Sequence, residues 1–87
     1  MTDVKLTTTD IFDVSSQLTS KAEEISGATV AANGQVARIR EMVSPRLKRN
    51  IETWDQLKDS IDQAVEALRE ASKELQAIGQ ANEDANR

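Results

Sequence analysis

Asp55, Asp59, Asp62 and Glu66 are the residues of this chain whose types and spacing could do chemistry. Their oxygens could gather Ca²⁺ or Mg²⁺, and two of them could act as acid and base in glycoside hydrolysis. Either task needs convergence, from a loop that turns ligands inward or from a cleft that holds two carboxyl groups across a substrate. A row along one helix offers neither. These carboxylates therefore read as a solvated face, with Asp55–Lys58 and Glu66–Arg69 pairs that contribute a few tenths of a kcal/mol each. The chain has no Cys and no His, which removes thiol nucleophiles, zinc sites with sulfur or nitrogen ligands, and the commonest general base near neutral pH. The expectation is a protein that is not an enzyme, with no cofactor and no metal, acting by binding.

The elements that position these residues are helical. With 87 residues the chain is one domain, too short for a large private core, and Phe12 and Trp54 are its only aromatic residues. Leu47, Ile51, Trp54, Ile61, Val65, Leu68, Leu75 and Ile78 recur every three or four residues, which predicts a long amphipathic helix. Ser44 can cap it, and Pro45 suits its first position, where an N–H would have no partner. Upstream, Thr7-Thr8-Thr9-Asp10 supplies cap-competent side chains. A second stripe follows: Ile11, Val14, Leu18, Ala22, Ile25, Thr29, Ala32, Val36, Ile39 and Val43, within which Leu18, Ile25, Ala32 and Ile39 keep a spacing of seven.

The fold expected is all-α: an antiparallel two-helix hairpin that dimerises into a four-helix bundle. Helix 1 covers about 9–43, the turn is Ser44–Pro45, helix 2 covers about 46–80, and 81–87 fray because Glu83 and Asp84 sit at the negative end of the helix dipole. Gly27 and Gly34 each cost about 1 kcal/mol inside a helix, and Asn33-Gly34 could end one. The apolar phase is unchanged across both, which favours a continuous helix. Folding about the turn pairs positions whose numbers sum to about 89, so Trp54 falls opposite Gly34–Val36 and Ile61 opposite Gly27–Thr29. On this register the glycines would seat large side chains. Beside the seam row Trp54, Ile61, Leu68 and Leu75 runs a further row, Leu57, Ala64, Ala71 and Ile78, wider than one partner helix needs. Together they are the expected partner interface, with Trp54 as core anchor or as hot spot whose indole N–H needs an acceptor.

Charge narrows the partners. Fifteen acidic residues against eleven basic give −4, which disfavours a general nucleic-acid surface. Arg38, Arg40, Arg46, Lys48 and Arg49 cluster at the turn. They read as solvated, or as an electrostatic docking end for the acidic Asp10, Asp13, Glu83 and Asp84 of an antiparallel partner. No apolar run approaches the ~20 residues of a membrane span, so membrane insertion is not expected, and Met1–Leu6 carries no apolar signal-peptide core.

The chain resembles the early-secreted-antigen (ESAT, WxG-type) family of small helical hairpins exported by type VII secretion systems. The resemblance rests on size, on the hairpin plan, on the opening Val4-Lys5-Leu6-Thr7, on Arg49-Asn50-Ile51-Glu52-Thr53-Trp54-Asp55, and on Leu75-Gln76-Ala77-Ile78-Gly79-Gln80-Ala81. Two features depart from it. Met42-Val43-Ser44-Pro45 stands where the family has its Trp-x-Gly turn, and the C-terminal Tyr of the export signal is missing, leaving Glu83 and Asp84 as acidic remnants of an export tail. The resemblance implies a substrate or co-exported partner of that machinery, cytoplasmic before export and then secreted without a signal peptide. It would pair with itself, with a second hairpin or with a toxin. The alternative is a cytoplasmic helical adaptor or structural coiled-coil module with no secretion role.

Overall fold

A computed structural model of the chain describes residues 7–85 and consists of two antiparallel helices, α1 (Thr8–Ile39) and α2 (Pro45–Ala85), joined by Arg40–Ser44. The Val4-Lys5-Leu6 part of the family resemblance lies outside the described residues. The hairpin measures 65 × 28 × 13 Å, two helices side by side and one helix thick.

Local chemistry sets each helix start. Thr7 caps α1 by accepting from the Asp10 N–H at 3.1 Å, while the Asp10 carboxylate accepts from the Thr7 N–H at 3.3 Å, a reciprocal capping box. At α2 the Ser44 Oγ accepts from the Leu47 N–H at 3.3 Å and Pro45 occupies the first helical position, as its fixed φ allows. The stops differ from expectation. α1 ends at Ile39, four residues before Val43, because Pro45 disfavours helical geometry at Ser44 and cannot donate to the carbonyl four residues upstream. α2 runs through Ala85, so 81–85 are helical, with Gln80 donating to Asp84 at 3.3 Å.

Packing follows the expected register and departs from the expected seam. Ser15 faces Ser72 and Trp54 faces Asn33, each pair close to the sum of 89. The buried row of α1, however, is Ser15, Ala22 and Thr29, with Val36 half-buried after them, and that of α2 is Ile51, Val65, Ser72 and Gly79, with Lys58 half-buried between. Small and hydroxyl-bearing residues thus line the contact. The Ser15 hydroxyl donates to the Ser72 carbonyl, the Ser72 hydroxyl to the Ser15 carbonyl, both at 2.9 Å, and the Thr19 Oγ1 lies 2.7 Å from the Ser72 Oγ. Each buried hydroxyl is satisfied, which removes the penalty of placing it in the seam. Thr29 instead returns its proton to the Ile25 carbonyl of its own helix at 2.7 Å.

The glycines of α1 do not take the expected role. Gly27 and Gly34 leave α1 continuous, but a Cβ built on either meets nothing within 4 Å. They seat neither Ile61 nor Trp54, because each lies a further 100° round the helix from the seam positions Ser26 and Asn33. Gly79 is the glycine that packing requires: its Cβ would sit 2.9 Å from Phe12 Cε1 and 3.1 Å from Ile11 Cγ2. Opposite effects on melting are therefore expected. Gly27→Ala and Gly34→Ala should each stabilise by ~0.5–1 kcal/mol, whereas Gly79→Ala should destabilise by ~1 kcal/mol or more, the overpacking outweighing its helix propensity. Thermal denaturation of the three variants decides it, and a stabilising Gly79→Ala would refute the close approach.

Candidate functional site

Because the seam uses small side chains, most large apolar residues lie beside it. In α2, Leu47, Trp54, Ile61, Leu68 and Leu75 are half-buried along one edge of the contact, and Leu57, Ala64, Ala71 and Ile78 continue outward from them, exposed, Leu57 at 52% and Ile78 at 46%. In α1, Leu18 is half-buried and Val14, Ile25 and Ala32 are exposed. Helical phase places both sets on the same side of the antiparallel pair. The expected row Leu18, Ile25, Ala32 and Ile39 is therefore not the seam but one edge of it. The result is one flat apolar face built from both helices. Its chemistry is that of a contact surface: apolar, and without a cleft.

Trp54 stands between seam and face. It is half-buried, and its indole N–H donates to the Asn33 Oδ1 at 3.1 Å, so the acceptor that it needs comes from within the hairpin. The opposite side is polar. There Arg40 grips Asp55 with two bonds, 3.0 Å from Nη1 to Oδ2 and 2.6 Å from Nη2 to Oδ1, across the turn end. With Asp55 taken, Lys58 pairs with Asp62 at 3.0 Å rather than with Asp55 as expected, whereas Glu66–Arg69 forms as expected at 3.8 Å. Among the described residues no group of acidic side chains converges in a way that would hold a metal ion, and no helix is long and apolar enough to cross a membrane.

The five clustered cations do not behave as one set. Arg40 is engaged by Asp55, and Arg38 donates to Gln35 at 3.2 Å. Arg46 and Lys48 stand in the first turn of α2 and Arg49 directly follows it; no acid accompanies them in that turn, where the helix dipole is unfavourable to positive charge. A shallow depression of about 310 Å³ lies between Arg40, Lys48, Ile51, Glu52 and Asp55. Ser15, Thr19, Asn33, Ser72 and Gly79 are structural residues that hydrophobic counting passes over. Of these, Ser72 and Gly79 carry a sequence signal, the spacing of seven through Ile51, Lys58, Val65, Ser72 and Gly79, in which two polar members conceal a seam.

The hydrogen bonds from Arg40 hold the Asp55 carboxyl below its ordinary value of 3.8, and the Arg40 guanidinium is raised in turn. A depressed carboxylate stabilises the fold above its unfolded pKa and loses that contribution as pH falls through its folded pKa. Wild type should therefore melt above Asp55→Asn at neutral pH, the gap closing only below about pH 3.8. Melting curves across that range measure it, and a gap independent of pH would exclude the ion pair as its source. No protein-family model, curated protein or solved structure matches this chain.

Proposed function

We propose that this chain is a non-enzymatic helical hairpin of early-secreted-antigen type, a substrate or co-exported partner of a type VII secretion system. It works by laying its apolar face on a second hairpin. The carrying observation is the exposed row Leu57, Ala64, Ala71 and Ile78, joined by Val14 and Ile25, on a molecule whose own buried apolar side chains are only Ile11, Ala22, Ile51 and Val65 among the described residues. A contiguous apolar face of this kind marks a protein contact. A second flat hairpin would match it in length, and two such layers make a four-helix bundle. Charge supports an antiparallel arrangement, since Arg46, Lys48 and Arg49 at the turn would meet Asp10, Asp13, Glu83 and Asp84 at the open end of the partner.

Leu57→Glu with Ile78→Glu should leave helicity intact and weaken association by roughly 100-fold or more, given ~1.5–3 kcal/mol for each large apolar side chain buried. Sedimentation equilibrium alone and with candidate hairpins reads this out, and unchanged association would exclude the face. Reversing charge at Arg46 and Arg49 should slow association and flatten its salt dependence, measurable by stopped-flow mixing. For export, the chain should appear in the medium of a cell with a type VII system and be retained when its secretion ATPase is deleted. Retention in both strains would favour the cytoplasmic adaptor.

A further inference from the structure

We infer that Ser44–Pro45 is a conformational selector, which holds the chain as a hairpin against an extended, strand-exchanged dimer that the surrounding residues otherwise encode. The inference does not rest on the proposed secretion role. The connecting segment Arg40-Glu41-Met42-Val43-Ser44 is not built like a turn: it contains no glycine, and no described residue has a positive φ. α1 thus ends without the left-handed cap that commonly stops a helix, with Met42 N–H bonding back to the Ile39 carbonyl at 3.1 Å. What stops α1 acts from downstream. Proline at 45 removes the N–H that would reach the Glu41 carbonyl, crowds that carbonyl with its ring, and disfavours helical geometry at Ser44.

The apolar pattern runs through this segment. Val36, Ile39, Val43, Leu47, Ile51 and Trp54 are separated by steps of three, four, four, four and three, the spacing of a helix with one stutter. Val43 extends the row Ser15, Ala22, Thr29 and Val36 by a further seven residues, yet it is 81% exposed in the hairpin, and Met42 beside it is 53% exposed. A continuous helix would return Val43 to the seam.

Two such helices, antiparallel, reproduce the observed packing between chains, because α1 of one copy meets α2 of the other through the same pairs, Ser15 with Ser72 and Asn33 with Trp54. Both pairs sum to 87, which puts the two-fold axis at residues 43–44, so Met42, Val43 and Leu47 of both copies cluster around it. The cations Arg46, Lys48 and Arg49 of both copies also meet there, an electrostatic brake on exchange that salt would relieve. The extended dimer would be roughly 115–120 Å long at 1.5 Å per residue from Thr8 to Ala85, whereas side-by-side docking of intact hairpins keeps the length near 65 Å.

The experiment is small-angle scattering with light scattering on wild type and on Ser44→Ala/Pro45→Ala, across concentration and salt, with circular dichroism on the same samples. Wild type should keep a maximum dimension near that of the hairpin, 65 Å. The double variant should gain helicity and become a dimer of roughly 115–120 Å, with a larger dimer fraction at higher salt. Adding Met42→Gly to the double variant should restore the short form by supplying a turn that does not need proline. Adding Val43→Asp should also restore it, by burying charge at the two-fold axis, while Val43→Asp alone leaves wild type unchanged. A double variant that stays short at every concentration and salt, or that loses helix content, overturns the inference. So does an extended dimer that persists with Met42→Gly or Val43→Asp.

Discussion

The contact between Ser15 and Ser72 is the constraint on which the rest of the hairpin depends. Two small hydroxyl residues, each donating to the carbonyl of the other, bring the helices together where a leucine seam would hold them further apart. Thr19 joins the same cluster, and Gly79 extends the close approach to the open end, where Ile11 and Phe12 occupy the space that a Cβ would take. Buried polar pairs of this kind contribute little net stability, but they penalise any register in which a hydroxyl would lose its partner. They specify which helix positions meet.

That choice determines the surface. With Ser15, Ala22, Thr29, Ser72 and Gly79 taking much of the seam, and only Ile11, Ile51 and Val65 as its large aliphatic members, most large aliphatic residues of both helices are displaced to one edge and then out onto a face. One side of the molecule offers Leu57, Ile78 and Ile25 to a partner, and the other ties its carboxylates to neighbouring cations. The hairpin is therefore stable in plan and incomplete in burial. A second layer of helices would supply what one layer lacks, which is the physical content of the proposed role.

The turn shows the same division between cost and specificity. Arg46, Lys48 and Arg49 are placed against the dipole of α2, and Met42 and Val43 are left in solvent, arrangements that a sequence selected for stability alone would avoid. Arg40 offsets part of this by crossing the turn to Asp55, the one ion pair among those described that does not lie within a single helix. The geometry of the chain reversal thus rests on a cap, a proline and a bidentate ion pair.

Much of this plan was legible beforehand, because it depends on interactions local in sequence. The number of helices, a cap within Thr7–Asp10 and one at Ser44, the continuity of α1 through Gly27 and Gly34, the approximate register and the exposed row Leu57, Ala64, Ala71 and Ile78 all follow from local spacing and the position of the turn. The seam itself did not follow. Counting apolar residues assigns the contact to Leu18, Ile25, Leu68 and Leu75 and puts Gly34 beneath Trp54, since isolated hydroxyls and an asparagine carry no sign of burial. Only when residues far apart in the chain are brought together do Ser15 and Ser72 satisfy each other, Asn33 accept from Trp54, and Gly79 close on Ile11 and Phe12. By itself, the sequence determined two capped helices, the turn between them and an apolar excess. Tertiary structure decided which rows touch, because a buried polar group is tolerable only where its partner is, and that partner lies on the other helix.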